Sequence, residues 1–338
     1  MPDMYTIKDT VIEGLAKLQY NVKKIDYRKT LRKNRFLAKA QTVLTSGRDK
    51  FLKTQETVNK WYLAEYEKEK PDLVIIYNEE LLLPSTLEVF NKRSKTIILL
   101  GDDPLNLNPP NKYNLAILFL ADVVVCADST WKRNLERIGL SNIIYDYLAY
   151  DPAAFLMKED TDPIYTPREG DLLFVVRSYG GSWGFKRCLF LDRFANLNID
   201  IFGTGAHWPI WLDMFPRIKN RLILTPNKIP FNQMKELMHS YKIFPVDANP
   251  GIVSGLHLRV FECISAGILP LIEYTEDISR VFKDIPLPVV KNFEECEQLA
   301  EELLVDAAKR INILQNARDH LNDNYAPAIV MNRILANI

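Results

Sequence analysis

The polar, glycine-containing stretch 247–267 is the part of the sequence whose residue types and spacing most favour chemistry. It follows an apolar segment at 243–246 and passes Asn249 and Gly251 before Ser254, which we predict to cap a helix. Backbone N–H groups at a helix N-terminus carry partial positive charge, and a glycine-containing loop leaves them open to an anion. The stretch therefore predicts a loop that binds phosphate or pyrophosphate.

Three polar positions would share one face of this predicted helix. Gly255, Arg259 and Glu262 stand at i, i+4 and i+7. At 1.5 Å of rise per residue, Glu262 would lie about 12 Å along the axis from Ser254, so its carboxylate could accept from ribose hydroxyls while the helix start held phosphates. The alternative is a surface ion pair between Arg259 and Glu262, worth under about 1 kcal/mol. His257 is either a further phosphate- or sugar-binding group or a structural histidine.

The elements that must position these residues alternate between strands and helices in the first half of the chain. Short segments that are apolar at every position are typical of parallel strands covered on both faces. The predicted strands are 22–27, 73–77, 96–100 and 123–126, and the predicted helices between them are 51–68, 84–93 and 129–138. Such alternation predicts a doubly wound α/β sheet.

The same pattern restarts after a polar, proline-containing stretch at 158–167, which resembles an interdomain linker. Strands are predicted at 172–176, 199–202, 222–224, 243–246 and 268–272, and residues 292–338 are helical with a break near 324–327. We therefore predict an α/β protein with two Rossmann-like domains, 1–165 and 166–322, facing a cleft. Residues 323–338 are expected to form a helix that packs back on the first domain.

Composition excludes several functional classes. Lys and Arg number 43, as do Asp and Glu, so the whole chain is not an electrostatic partner for nucleic acid. The four cysteines lack the spacing of a zinc site or a disulfide scaffold, which predicts core residues in a reducing compartment. Since no apolar run reaches the roughly 20 residues of a membrane helix and the N-terminus has no signal-peptide pattern, a cytoplasmic location is expected.

Local charge is less even, because basic residues far outnumber acidic ones in the segment 23–60. Such a surface would suit an anionic membrane or a phosphate-bearing acceptor. A peripheral membrane contact is therefore one prediction for this segment. The alternative is a solvated helical face whose charge is balanced by acids elsewhere in the chain.

The motif 254–262, continuing through Ala266-Gly267 and Leu269-Pro270, resembles the E-x7-E donor-binding motif of group 1 glycosyltransferases with the GT-B fold. It is closest to the CgeB-like spore-maturation branch of that family. The resemblance implies that Glu262 matches the second glutamate, which binds the nucleotide ribose. Ser254 stands in the place of the first glutamate.

The resemblance extends to other parts of the chain. Arg177 after the strand at 174–176, followed by Lys186-Arg187, is similar to the segment that supplies the diphosphate-neutralising cations in the family, and Arg177 and Lys186 are the predicted donor-binding residues. In the first half, 100–104 and 121–126 resemble acceptor-domain landmarks. In the segment 100–104, Asp103 is a catalytic candidate that would activate or orient an acceptor hydroxyl. The alternative is that it forms a turn or a cap, as Asp before Pro commonly does.

The family resemblance also concerns the start of the first domain. A strand and a glycine-rich turn precede the first helix in the family. Here a helix capped by Thr6 is predicted from the helical spacing of apolar residues over 7–18, and only residues 1–5 precede it. We therefore expect this edge of the first domain to be shortened or rebuilt.

The function that the resemblance implies is transfer of a sugar from a nucleoside-diphosphate sugar to a glycan, lipid-linked or protein acceptor, with retention of configuration. No metal or other cofactor is implied, because the helix dipole with Arg177, Lys186 and Arg259 would stabilise the leaving nucleoside diphosphate. A nucleotide-sugar-binding protein that has lost catalysis is the alternative. A nicotinamide-dependent oxidoreductase would need G-x-G-x-x-G between its first strand and helix, which the sequence lacks.

Overall fold

The computed structural model describes residues 7–26, 47–77, 81–105, 114–157 and 162–338. The chain divides into two compact units. The C-terminal unit consists of Tyr147–Val330 together with residues up to Gly14, and the N-terminal unit consists of Leu15–Asp146 together with Met331–Ile338. The predicted boundary between residues 165 and 166 therefore falls inside the C-terminal unit.

The N-terminal unit contains a four-stranded parallel sheet in the order β1-β2-β3-β4. Its core is apolar on both sides of the sheet, since Ile97 and Val124 are fully buried. Leu87 and Leu135 of two helices pack in the same core. The elements are α1 (Ile7–Lys17, which continues from the other unit), α2 (Gly47–Glu69), β1 (Leu73–Tyr77), α3 (Pro84–Asn91), β2 (Lys95–Leu99), α4 (Asn114–Leu120), β3 (Val123–Cys126), α5 (Ser129–Arg137) and β4 (Ile143–Tyr145).

Three of the predicted strands are confirmed as β1, β2 and β3, with ends that differ by at most one residue. The strand predicted at 22–27 is wrong for 22–26, which form no strand, and residue 27 lies outside the described residues. Lys23 instead places its ammonium group 3.4 Å from a Glu65 carboxylate oxygen and in contact with Glu69. Most of the basic segment 23–60 lies outside the described side chains, so its membrane contact stays a prediction.

The C-terminal unit contains a six-stranded parallel sheet in the order β10-β9-β8-β5-β6-β7. Numbered within this unit and read from β7, the order is the 3-2-1-4-5-6 of a Rossmann fold. The elements are α6 (Pro152–Phe155), β5 (Gly170–Arg177), α7 (Gly181–Asp192), β6 (Ile199–Thr204), α8 (Trp208–Leu212), α9 (Pro216–Lys219), β7 (Leu222–Leu224), α10 (Phe231–Ser240), β8 (Tyr241–Val246), α11 (Leu258–Ser265), β9 (Leu269–Glu273), α12 (Ile278–Phe282) and β10 (Val289–Val290).

Burial of the strand residues explains why these strands could be predicted from the sequence pattern. Leu172, Ile199, Ile243 and Leu269 come from four neighbouring strands and are fully buried. A sheet covered on both faces requires apolar side chains at consecutive positions, which is the pattern used for the prediction. All five strands predicted in this half are confirmed, and the two-residue β10 was missed.

The chain ends in a 3-10 turn (Phe293–Glu295) and three helices, α13 (Cys296–Val305), α14 (Ala307–Tyr325) and α15 (Pro327–Leu335). The predicted break occurs at Ala326, because Pro327 has no backbone N–H to continue the preceding helix. Within the N-terminal unit, the Arg333 guanidinium binds both carboxylate oxygens of Asp146 at 2.5 and 2.6 Å.

All four cysteines, Cys126, Cys188, Cys263 and Cys296, are buried and free of disulfides. Burial raises the pKa of the Cys188 and Cys296 thiols to about 12. The prediction that they are core residues is confirmed.

Candidate functional site

The strand order of the C-terminal unit reverses between β5 and β8, which are hydrogen-bonded neighbours. The chain runs outward from β5 through β6 to β7, and then returns to β8 on the other side of β5. Open parallel sheets bind ligands outside the carboxyl ends of the strands at such a reversal, because the connecting loops diverge there. Arg177 ends β5 and Asp247 follows β8, so both lie at this edge.

A buried ion pair joins the ends of these two strands. From α7, Arg187 Nε and Nη2 donate to the Asp247 carboxylate at 2.6 and 3.1 Å, and Nη1 donates to the carbonyl oxygen of Arg177 at 2.8 Å. The Tyr179 ring covers the guanidinium at 4.2 Å. Because its donors are engaged inside the protein, Arg187 holds the carboxyl ends of β5 and β8 together.

Sequence reasoning noted Arg187 beside Lys186 but did not include it among the predicted site residues. The available signal was helical spacing, since Arg187 follows the buried Gly184 by three positions and precedes the buried Leu191 by four. A basic residue on the buried face of a helix must have a partner. Spacing alone did not indicate that the partner is Asp247.

The two cations predicted to neutralise a diphosphate differ in the structure. Lys186 Nζ lies 2.5 Å from Glu273 Oε1 and 4.8 Å from the centroid of the Trp183 ring. The other oxygen of Glu273 accepts from the backbone N–H of Ala248 at 2.9 Å. Arg177 is exposed at the end of β5, and its guanidinium forms no ion pair with any of the described residues. Arg177 is thus the better placed of the two to meet an anion.

A close backbone approach shapes the turn after β5. Ser178 Oγ accepts from the backbone N–H of His207 at 3.0 Å. Gly205 has φ +100°, and a Cβ there would lie 2.6 Å from Ser178 Oγ. Only glycine fits this conformation and this distance without displacement. The turns after β5 and β6 are therefore packed directly against each other beside the strand-order reversal.

The loop 248–257 contains several of the predicted donor-binding residues, and its first part forms a turn. Asn249 Oδ1 accepts from the Gly251 backbone N–H at 2.8 Å, and the Asn249 carbonyl accepts from Ile252 N–H at 3.1 Å. Asn249 and Gly251 thus hold the conformation of the loop immediately after Asp247. Whether they also bind a ligand stays a prediction.

The predicted N-cap at Ser254 is wrong, because α11 begins at Leu258 with His257 as its N-cap. The Ser254 hydroxyl instead donates to Glu276 Oε2 at 3.1 Å, and Leu256 N–H donates to the Tyr147 hydroxyl at 2.8 Å. These contacts satisfy the loop's polar groups outside a helix. Consequently the predicted 12 Å separation along a helix axis does not apply.

His257 caps α11 through its ring. Nδ1 accepts from the Arg259 backbone N–H at 3.0 Å, so a neutral ring carries its proton on Nε2. Burial, together with the positive charges of Arg259 and Arg187, lowers the pKa of His257 to about 3. The imidazole is therefore neutral at pH 7 and has one N–H that the cap does not use.

The polar residues of α11 form the ion pair that was the alternative prediction. Arg259 Nη1 lies 2.5 Å from Glu262 Oε2, and each side chain is about one-fifth exposed. The Arg259 guanidinium also lies over the Phe244 ring at 5.4 Å. The predicted shared helical face is wrong for Gly255, which precedes the helix. Arg259 and Glu262 remain partly accessible to a ligand.

The catalytic candidate Asp103 belongs to the N-terminal unit. It is buried, and its Oδ1 accepts from the Leu105 backbone N–H at 2.9 Å. This is the turn contact that was the alternative interpretation of the Asp-Pro sequence. Its catalytic role stays a prediction.

Across the described ranges, no group of three or more His, Cys, Asp or Glu side chains could hold a metal ion. No helix in the described part of the chain has the length and apolarity needed to span a membrane.

Residues 186–336 match the family model described as glycosyl transferase-like. The match begins in α7 and ends in α15, so it includes the loop 248–257 and α11. No curated protein matches the chain by sequence.

Solved structures share the fold at low sequence identity. A sucrose-phosphate synthase from Thermosynechococcus elongatus is 13% identical, with a TM-score of 0.61 over 86% of this chain and 80% of that chain. An α,α-trehalose-phosphate synthase (UDP-forming) from Burkholderia vietnamiensis is 12% identical, with a TM-score of 0.58 over 86% and 75%. HepE from Anabaena, solved in complex with UDP and glucose, is 14% identical, with a TM-score of 0.57 over 85% and 80%.

These similarities confirm the predicted fold class, an α/β protein with two Rossmann-like parallel-sheet units of the GT-B type. The family match covers the segment that carries the predicted donor motif. Residues 186–336 are similar to a glycosyl transferase-like family, and the match indicates a transferase enzyme, as the sequence predicts.

Proposed function

We propose that the chain transfers a sugar from a nucleoside-diphosphate sugar to a hydroxyl acceptor, and that its C-terminal unit binds the donor. The observation that carries this proposal is the strand-order reversal between β5 and β8, held by the Arg187–Asp247 pair. Exposed Arg177 and the start of α11 lie at the same edge of the sheet. The family match over 186–336 and the UDP complex of HepE support the same ligand class.

The diphosphate would be bound by groups that are positive or have free donors. Arg177 supplies a guanidinium that pairs with no carboxylate in the described part of the chain, and His257 supplies its Nε2–H beside the first turn of α11. Gly255 belongs to the loop that leads to this helix, and its place in the donor site stays a prediction. Lys186 contributes less local charge than Arg177, because Glu273 already pairs with it.

Glu262 would accept from the ribose hydroxyls, and Arg259 would orient that carboxylate through their ion pair. In this arrangement the pair is part of the site, since a carboxylate held at 2.5 Å by one guanidinium nitrogen still has free acceptor positions. Asn249, Gly251 and Ser254 would shape the loop that leads to this helix.

The finer parts of the proposal follow from the E-x7-E resemblance. The leaving nucleoside diphosphate would be stabilised by fixed cations and the α11 dipole instead of a bound metal, and transfer would proceed with retention of configuration. The acceptor would be a glycan, a lipid-linked sugar or a protein hydroxyl, with Asp103 as its orienting group. Membership of the CgeB-like branch, a cytoplasmic location and membrane contact through 23–60 belong to the same proposal.

One observation favours the alternative of a binding protein without turnover. Ser254 stands where the motif has its first glutamate, and its hydroxyl is already engaged with Glu276. Both alternatives predict donor binding, and only the transferase predicts release of nucleoside diphosphate.

Calorimetry with UDP, GDP, ADP and their glucose conjugates tests the proposal, followed by assay of nucleoside diphosphate release. We expect the ligands of one nucleotide base to bind, and we expect Glu262→Ala to raise their Kd at least tenfold, which is about 1.4 kcal/mol. Glu262→Gln controls for loss of volume, and Glu301→Gln on α13 controls for an exposed glutamate elsewhere. Binding without turnover under every acceptor condition would favour the alternative, and absence of binding by the wild-type protein would reject both.

A further inference from the structure

Four carboxylates between the end of β8 and the loop after β9 have different partners. Asp247 is engaged bidentately by Arg187, and Glu273 is engaged by Lys186 and by the Ala248 N–H. Glu262 is paired with Arg259. Glu276 differs, because no lysine or arginine among the described residues forms an ion pair with it.

Glu276 is nevertheless held in place. It stands three residues beyond the end of β9, and its side chain is exposed. Oε2 accepts from the hydroxyl of buried Ser254 at 3.1 Å, while the backbone N–H of Asp277 donates to the Ser254 carbonyl at 2.9 Å. Two hydrogen bonds therefore join the loop after β9 to the loop after β8.

An ionised carboxylate has about four acceptor positions, and the Ser254 hydroxyl uses one. The remaining positions suit neighbouring hydroxyl groups, which donate charge-assisted hydrogen bonds that are stronger than neutral ones. A carboxylate facing diphosphate oxygens would be repelled by them, so in a nucleotide-sugar site it would lie beside neutral hydroxyl groups. Glu262 is proposed for the ribose hydroxyls, which leaves those of the donor sugar.

We propose that Glu276 binds hydroxyl groups of the donor sugar and thereby determines sugar specificity. Ser254 acts as a positioning residue for this carboxylate. This inference rests on the proposed function, because it assumes that the nucleotide is bound at the same edge.

The inference is tested by measuring the Kd of UDP and of UDP-glucose for the wild-type protein and for Glu276→Gln. If calorimetry shows that the protein prefers guanine or adenine nucleotides, GDP or ADP and its glucose conjugate are used instead. Gln has nearly the same shape as Glu and retains an acceptor for Ser254, so folding is expected to be unaffected. We expect the Kd of the sugar conjugate to rise about tenfold, while the Kd of the free nucleoside diphosphate changes less than twofold. Ser254→Ala should shift the same ligand in the same direction by a smaller factor, and Glu301→Gln should shift neither ligand.

The possible failures are distinguishable. If Glu276→Gln weakens both ligands equally, or neither, the inference is overturned while the proposed function stands. If the wild-type protein binds neither ligand class with any base, both the proposed function and this inference are rejected. A loss confined to the sugar conjugate supports the assignment of Glu276.

Discussion

The two units contain parallel sheets built from the same kind of strand, but they differ in strand order. Among the described residues of the N-terminal unit the order β1-β2-β3-β4 follows the chain, so each of these strands is added on the same side of the preceding one. In the C-terminal unit the order reverses between β5 and β8. A reversal separates the two adjoining loops and leaves an opening between them, whereas a sequential order does not. Apolar strands of this kind therefore determine that a parallel sheet forms, and the order of the strands determines where a ligand can bind.

The charged residues of the two units reflect this difference. The reversal is bridged by Arg187 and Asp247, whose side chains are 5% and 10% exposed. In the helix α5 of the N-terminal unit, Lys132 and Glu136 form an exposed ion pair on the protein surface. Both members of a buried pair have lost their hydration, so removal of one leaves the other neither hydrated nor paired. The two pairs should respond very differently to mutation.

The largest effect is expected for Arg187→Met. The substitution leaves the buried Asp247 carboxylate without its cation, which destabilises a protein by about 3–5 kcal/mol. Urea unfolding measures this loss. Asp247→Asn added to Arg187→Met should recover part of it, because the unpaired charge is then removed.

A matched arginine in the same unit provides the control for that prediction. Arg217 pairs with Asp192 but is about half exposed, so Arg217→Met should cost no more than about 1 kcal/mol. Equal destabilisation by the two substitutions would contradict the bridging role of Arg187.

A smaller effect is expected at the start of α11. His257→Ala removes the acceptor of the Arg259 N–H and should destabilise the protein by about 0.5–2 kcal/mol. His257→Asn provides a side-chain oxygen in the same role and should retain most of the stability. If Asn and Ala behave alike in urea unfolding, the ring is not acting as a cap.

The same histidine predicts a pH dependence. Its folded pKa of about 3 lies below the ordinary value of about 6.5, so the unfolded chain takes up the proton first as the pH falls. The stability that His257 contributes is complete above about pH 6.5 and is lost progressively towards pH 3. His257→Asn should lose less unfolding free energy than the wild type between pH 6.5 and 4, and identical profiles would contradict the neutral ring.

The smallest effect is expected in the N-terminal unit, at the exposed pair of α5. Lys132→Gln should reduce the free energy of unfolding by no more than about 0.5 kcal/mol, because water screens both charges. A loss comparable to that of Arg187→Met would remove the contrast between the two units.

Sequence patterns predicted the strands because a parallel sheet needs consecutive apolar residues, as in Val123–Cys126 and Leu222–Leu224. They missed β4 and β10, which have three and two residues and give too short a pattern. Residues 22–26 were predicted as a strand, but Lys23 in this segment pairs with Glu65 of α2. A local sequence pattern cannot predict a contact with a residue so distant in the chain.

The candidate site was predicted in part, for a similar reason. The segment 249–262 was recognised from its composition and spacing, but the start of α11 was placed too early. Ser254 has the residue type of an N-cap, and only tertiary contacts with Glu276 and Asp277 draw it away from that role. The partners of Arg187 and Glu276 stand 60 and 22 positions away in the chain, beyond the reach of helical or strand periodicity.

Hydrogen–deuterium exchange with and without the nucleoside diphosphate that binds most tightly would test the proposed binding edge most directly. We predict slower exchange of backbone amides at 178–181 and 247–259, at the carboxyl ends of β5 and β8, with little change at the carboxyl ends of β2 and β3. Slower exchange confined to the N-terminal unit under saturating nucleotide would contradict the assignment of the donor site to the strand-order reversal.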